Sequence, residues 1–134
     1  MIIEHIAIWT KNLEGLAAYY IKFFQATPSE KYINEKTGFQ SYFLSFESGA
    51  RLEIMYKNSV PDNKNDTIKE EYLGIIHLAF GVDTMAKVTD KCEELLKAGY
   101  RVISGPRKTG DGYYEFVTLD PDNNRLEVTT KYQG

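Results

Sequence analysis

The sequence predicts an α+β fold built from two βαβββ modules, their strands forming a curved, cleft-bearing mixed sheet with the helices on its outer face. Three observations predict it. The chain opens with Ile3-Glu4-His5-Ile6-Ala7-Ile8 and later reaches Arg51-Leu52-Glu53-Ile54, and its second half repeats this as Ile75-Ile76-His77-Leu78-Ala79-Phe80 and Arg125-Leu126-Glu127-Val128. Each opening is followed by apolar residues at helical spacing and then by alternating runs. A polar stretch, Asn58 to Thr67, separates the halves. With 134 residues there is enough chain to bury one core. We therefore expect a single domain over 1–134, made of a module at 1–58 and a module at 73–134 joined by a polar connector at 59–72.

Residues 2–9 alternate and are rich in isoleucine, which predicts a strand. Asn12 can cap the helix that follows, in which Leu13, Leu16, Ala17, Tyr20 and Phe24 recur at helical spacing to about Gln25, with Pro28 as the stop. A weak strand near 31–34 precedes a hairpin of Gln40–Glu47 and Arg51–Lys57, turned at Ser48-Gly49. In the second half a strand is expected over Ile75–Val82. Asp83 or Thr84 caps a helix carrying Met85, Val88, Cys92, Leu95 and Leu96, and Gly99 ends it in the C′ position. A short strand at Tyr100–Ile103 leads into a glycine-rich loop at 104–112. The last hairpin pairs Tyr113–Leu119 with Arg125–Lys131 around Asp120-Pro121-Asp122-Asn123-Asn124.

Composition excludes several functions. Sixteen Lys and Arg against nineteen Asp and Glu give a net charge of −3, so no basic surplus points to nucleic acid. No run is long enough to span a bilayer, and the opening Met1–His5 lacks a charged, apolar leader, so neither a membrane nor a signal peptide is expected. One cysteine permits no internal disulfide and suits a reducing compartment, with the cytoplasm as the default.

Side chains alternate across a strand. Leu52, Ile54 and Tyr56 share one face of their strand while Arg51, Glu53, Met55 and Lys57 share the other. Leu126 and Val128 are separated from Arg125, Glu127, Thr129 and Lys131 in the same way. The apolar face must cover the helix, so Glu53 and Glu127 point away from it. His5 sits with Ala7 and Trp9, and His77 with Ala79 and Gly81, so small residues leave room beside each imidazole. A lone strand His or hairpin Glu is usually only a solvated side chain. Here the chain's two histidines and two glutamates occupy matching positions, and His5, Glu53, His77 and Glu127 make a candidate N2O2 set for one divalent metal.

The paired modules and these four residues resemble the vicinal oxygen chelate superfamily of glyoxalase I, methylmalonyl-CoA epimerase, extradiol dioxygenases and the fosfomycin and bleomycin resistance proteins. The resemblance spans essentially the whole chain. It is sharpest at Glu4–Ile8, at Gly49–Glu53, and at Leu119-Asp120-Pro121-Asp122-Asn123-Asn124-Arg125-Leu126-Glu127, which is similar to the family's DPDGN-x-(I/L)-E ending. The order His, Glu, His, Glu resembles bacterial-type glyoxalase I. Dioxygenases of the family lack the ligand that Glu53 would supply, and bleomycin-binding members lack the ligands altogether. Two positions depart from glyoxalase I: Trp9 replaces an Arg, and Lys57 replaces an Asn, that serve glutathione. A planar apolar ring cannot replace a bidentate guanidinium, which argues against glutathione as co-substrate.

The resemblance implies a lyase or isomerase that chelates a small 2-oxo or hemithioacetal substrate on nickel, cobalt, zinc, manganese or iron and moves a proton through an enediolate. Glu127 is then the main base and Glu53 its mirror partner, with His5 and His77 as ligands. Trp9, Lys57, Arg107, Tyr113 and Tyr114 are candidates for the substrate pocket, Arg107 and Lys108 being placed on the loop before the last hairpin. An epimerase acting on an acyl thioester and a non-catalytic protein that sequesters an antibiotic are the alternative readings. A homodimer is expected, and the four ligands can come from one chain or from two. Cys92, in register with Val88 and Leu95, is expected in the core.

Overall fold

The computed structural model describes residues 1–134. The chain forms two compact units, residues 1–63 and 64–134. In the first, β1 (His5–Trp9) leads to α1 (Leu13–Phe24), the short β2 (Thr27–Pro28) and β3 (Tyr32–Asn34), and then β4 (Phe39–Ser45) and β5 (Arg51–Tyr56). The second runs β6 (His77–Gly81), α2 (Met85–Lys97), β7 (Val102–Lys108), β8 (Tyr113–Leu119) and β9 (Arg125–Lys131). This is the predicted α+β architecture of two βαβββ modules, with one extra two-residue strand in the first. Each unit has its own mixed sheet, ordered β1-β5-β4-β2 with β3 on β4, and β6-β9-β8-β7.

The helices begin where their caps place them. The Asn12 side chain accepts from the Gly15 amide at 2.9 Å, and Thr84 Oγ1 accepts from Lys87 at 3.2 Å. They end differently from one another. Gly99, at φ 91°, takes the left-handed position after α2. The first helix stops at Gln25, which adopts φ 54° and ψ 35°, before Pro28 is reached. Pro28 instead lies in β2 opposite Leu44. The left-handed residue closes the helix by sending the following chain back along the sheet, so proline has no helix left to break.

Helix α1 lies on β4 and β5, and α2 on β7, β8 and β9. The helix-facing rows are those expected from alternation: Leu44, Leu52 and Ile54 in the first unit, and Phe116, Leu126 and Val128 in the second, all essentially buried. Cys92 lies in this second core, and burial raises its thiol above its ordinary value. Each sheet also sends one tyrosine hydroxyl to its helix. Tyr42 Oη donates to Glu14 at 3.0 Å, and Tyr114 Oη lies 3.2 Å from Thr89 Oγ1.

The largest departure from expectation is β7. The glycine-rich loop expected at 104–112 begins only after Lys108, because β7 continues through Gly105 and Pro106 by means of two register shifts. Pro is tolerated there because β7 is an edge strand and irregular at that point. Gly105 is at φ 86°, and a Cβ on it would lie 2.6 Å from the Glu115 carbonyl oxygen. Arg107 and Lys108 are therefore strand residues, paired with Glu115 and Tyr114, and not loop cations.

Candidate active site

Two turns position the site's glutamates. The second is fixed by Asp120, a nearly buried carboxylate. Its Oδ1 accepts from the amides of Asp122 and Asn124, both at 2.9 Å, and its Oδ2 accepts from Asn124 Nδ2 at 2.8 Å. Asn123 takes φ 64° at the bend. The Asp120–Asn124 segment thus closes on itself and delivers Arg125, Leu126 and Glu127 to β9 in fixed register. In the first unit the corresponding hairpin connection is residues 46–50.

Both units then place their donors alike. β1 pairs in parallel with β5, setting His5 opposite Arg51 and Ala7 opposite Glu53. β6 pairs in parallel with β9, setting His77 opposite Arg125 and Ala79 opposite Glu127. His5 Nε2 lies 3.7 Å from Glu53 Oε1, and His77 Nε2 lies 3.3 Å from Glu127 Oε1. Both glutamates are mostly shielded from solvent, at 15% and 17% exposure, while the imidazoles are open at 41% and 36%. Adjacent ligands held about 2.1 Å from one ion stand about 3.0–3.4 Å apart, so each pair needs little or no movement to share a cation. Within either unit the pair stands alone, since no group of three or more His, Cys, Asp or Glu side chains is gathered for a metal.

The surroundings of the two pairs differ. In the first unit the face bearing His5 and Glu53 is aromatic. Phe43 lies across from Glu53 and meets the His5 ring edge-on at 5.3 Å. Trp9, 44% exposed, meets Phe39 edge-on at 5.9 Å, and Tyr32 lies 6.1 Å from the same Phe39. Lys57 directly follows β5. In the second unit the face bearing His77 and Glu127 is mixed, with Val117 across from Glu127 and with Glu115 and Tyr113 on the same side of β8. Glu115 lies close enough to Glu127 to act on its charge, and Glu115 Oε1 accepts from Thr129 Oγ1 at 3.2 Å. Burial raises the Glu127 carboxyl above its ordinary value. Glu115 adds to the rise, whereas the charges of His77 and Arg107 oppose it. A carboxylate raised in this way accepts a proton more readily than a solvated one.

The pocket candidates separate. Tyr113 lies in register with Lys131, on the same side of β8 as Glu115. Tyr114, one residue on, points to α2 and bonds Thr89, so it belongs to the helix side. Arg107 lies across from Glu115 with its Nε donating to Ser104 Oγ at 3.2 Å. Two residues not singled out in the sequence belong to these sites: Glu4, bonded to His5, and Glu115, beside Glu127. Alternation back from Val117 puts Glu115 on the Glu127 face, a signal readable once Leu119 is set opposite Arg125. Glu4 has no such signal, because it lies outside β1 and reaches its partners by side-chain conformation.

Known proteins share this fold. The sequence model of the Glyoxalase/Bleomycin resistance protein/Dioxygenase superfamily matches residues 2–128. An uncharacterized protein of Bacillus subtilis, YqjT, is 24% identical over 132 residues, covering 93% of this chain and 95% of the relative. The structure is similar to a glyoxalase family protein from Bacillus cereus at a TM-score of 0.81 and 11% identity, covering 99% of this chain and 95% of that one. It is also similar to the trypanothione-dependent glyoxalase I of Leishmania major at a TM-score of 0.73 and 19% identity, covering 94% and 84%. No helix is long and apolar enough to cross a membrane. With a match across nearly its whole length and a histidine–glutamate pair repeated at the same register in each module, the chain belongs to the glyoxalase/bleomycin resistance protein/dioxygenase superfamily.

Proposed function

We propose that this protein is a divalent-metal-dependent lyase or isomerase of the glyoxalase I type, acting on a small 2-oxo or hemithioacetal substrate. The observation that carries the reading is the repeated pair: a histidine nitrogen and a glutamate oxygen 3.7 Å apart in one unit and 3.3 Å apart in the other. His5, Glu53, His77 and Glu127 would hold the ion, whether one chain or two copies supply the set. Two nitrogen and two carboxylate donors without a thiolate suit nickel, cobalt, zinc, manganese or iron. Such an ion supplies Lewis acidity, polarising substrate oxygens so that the adjacent C–H becomes acidic enough for a carboxylate to attack.

The remaining work falls to the chain. Glu127, shielded and crowded by Glu115, takes the proton from the carbon beside the carbonyl and returns it to the neighbouring carbon. Glu53 is its counterpart in the first module, and His5 and His77 only bind. Ala7 and Ala79, the register partners of the two glutamates, leave space in front of them. Trp9 and Phe39 offer an apolar wall to the part of the substrate that does not react.

That wall favours a second reading for substrate choice. Trp9 presents no guanidinium for a glutathione carboxylate, so proton transfer on an acyl thioester, as in an epimerase, is the competing activity. The test is metal analysis of purified protein together with assays on the methylglyoxal–glutathione hemithioacetal and on a 2-methyl-branched acyl thioester. His77→Ala should weaken metal binding by more than the roughly 10–100-fold that loss of an outer hydrogen-bond partner costs. Glu127→Gln should lower turnover by about 10²–10⁴-fold. If both variants bind as much metal as the parent, the site assignment is wrong. A parent with no bound metal and no turnover on either substrate would instead favour a binding protein.

A further inference from the structure

The two histidines of the repeat are held in different ways. His5 is preceded by a carboxylate, and Glu4 Oε1 lies 3.0 Å from His5 Nδ1. The same carboxylate is gripped by Arg51: Nε donates to Oε2 at 2.9 Å, and Nη2 makes a short contact with Oε1. The two residues are also joined through the backbone, the Arg51 amide donating to the Glu4 carbonyl at 2.9 Å. Arg51 is the register partner of His5 and lies over the Phe43 ring, its guanidinium carbon 4.1 Å from the centroid, while the His5 ring meets the same phenylalanine edge-on. At the matching place in the second module Ile76 precedes His77, and Arg125 donates to the Thr67 carbonyl at 2.8 Å and to the Glu70 carbonyl at 3.3 Å.

We propose that Glu4, anchored by Arg51, is a positioning residue that fixes His5 as its Nδ1–H tautomer, leaving Nε2 bare and turned towards Glu53. An ionised carboxylate can only accept a hydrogen bond, so the His5 nitrogen facing it must carry the hydrogen. Arg51 Nε and Nη2 each bind one Glu4 carboxylate oxygen, a two-point contact that favours the ionised carboxylate. In the neutral imidazole, placing the single hydrogen on Nδ1 leaves the Nε2 lone pair free to act as a ligand. Phe43 restricts rotation of the ring from the other side. A carboxylate–histidine pair of this kind orients an imidazole for a cation and raises its basicity. That consequence rests on the metal-site reading above; the tautomer itself does not.

Because His5 and His77 are the only histidines, nitrogen-15 histidine NMR of the metal-free protein resolves the question. At mildly alkaline pH His5 should show a protonated Nδ1 and a bare Nε2. Glu4→Gln, which keeps an acceptor oxygen but loses the charge, should retain that pattern. Glu4→Ala should release His5 into a mixture of tautomers, leave the His77 signals unchanged, and weaken zinc or nickel binding by about 10-fold in titration calorimetry. The proposal is overturned if His5 in the parent carries its hydrogen on Nε2, or if Glu4→Ala leaves its pattern unchanged. It is equally overturned if Glu4→Gln disturbs His5 as much as Glu4→Ala, since the ion pair with Arg51 would then only tie down the chain before β1. A parent that takes up no metal yet shows the Glu4-dependent tautomer would sink the metal-site reading and leave this orientation standing.

Discussion

The two modules share one backbone plan and surround it with different chemistry. In both, the histidine lies opposite an arginine and the following alanine lies opposite a glutamate. Beyond that frame the equivalent positions diverge. Where the first sheet has Ser41 opposite Met55, the second has Glu115 opposite Thr129, and where the first has Trp9, the second has Gly81. One histidine–glutamate pair therefore has Phe43 across from its glutamate, and the other has Val117 there with a second glutamate, Glu115, on the same side. The difference teaches that register placed the donors, while the side chains around them were free to divide the labour. The first module surrounds its pair with Trp9, Phe39 and Phe43, and the second sets Glu115 beside its glutamate.

Substitutions at non-equivalent features should break this comparison most. Gly105 lies in the irregular part of β7, and a Cβ there would lie 2.6 Å from the Glu115 carbonyl oxygen. Gly105→Ala combines a left-handed backbone with a backbone clash and should cost about 2–4 kcal/mol in denaturant unfolding. It should also move β7, so a hydrogen-exchange map should show loosening across β7 and β8 with β4 and β5 unchanged. A loss below about 0.5 kcal/mol would mean that the bulge is not tight.

The paired arginines sharpen the comparison next. Arg125 is only 12% exposed and binds two backbone carbonyls of the segment at 67–70, whereas Arg51 is 39% exposed in an ion pair. Arg125→Ala should therefore cost about 1.5–3 kcal/mol, by loss of charge-assisted bonds to groups that have few other partners. Arg51→Ala should cost less than Arg125→Ala, because solvent screens its ion pair. Equal losses in urea titrations would show that the two arginines do the same work after all.

The smallest expected effect is a difference in acid response between the two helix–sheet contacts. Glu14, on α1, is lowered from its ordinary value of 4.5 by Lys31 and then by Tyr42. A depressed carboxyl stabilises the fold above its unfolded value and loses that contribution as pH falls through its folded value. The Tyr114–Thr89 contact on α2 contains no ionised group and has no such dependence. Glu14→Gln should thus be less stable than the parent by under about 1 kcal/mol near neutral pH, the side chain being 64% exposed, with the gap closing below pH 4.5. Tyr114→Phe should show a gap that does not change over the same range.

Much of this was legible in the sequence because it depends on local rules. Alternation assigned Glu53 and Glu127 to the face away from the helices, and the caps at Asn12 and at Asp83 or Thr84 bounded the helix starts, the structure choosing Thr84. The Asp120–Asn124 turn announced the final hairpin, whose two strands fall where the alternation puts them. Other features needed distances between residues far apart in the chain. Arg107 and Lys108 read as loop cations because glycine and proline precede them, yet pairing with β8 outweighs that local signal by bulging the strand. Tyr113 and Tyr114 are indistinguishable as letters, and only the packing of α2 sends the second to the helix side.

The amino-acid sequence determined the repeat, the positions of the two histidines and two glutamates, and the face on which each glutamate lies, because period-two geometry follows from the chain itself. Tertiary structure alone decided the neighbours of those residues: Glu4 and Phe43 against His5, and Glu115 against Glu127. Hydrogen bonds and burial act across space, and space is set by strand pairing and side-chain conformation together. The same four letters therefore acquire two different environments.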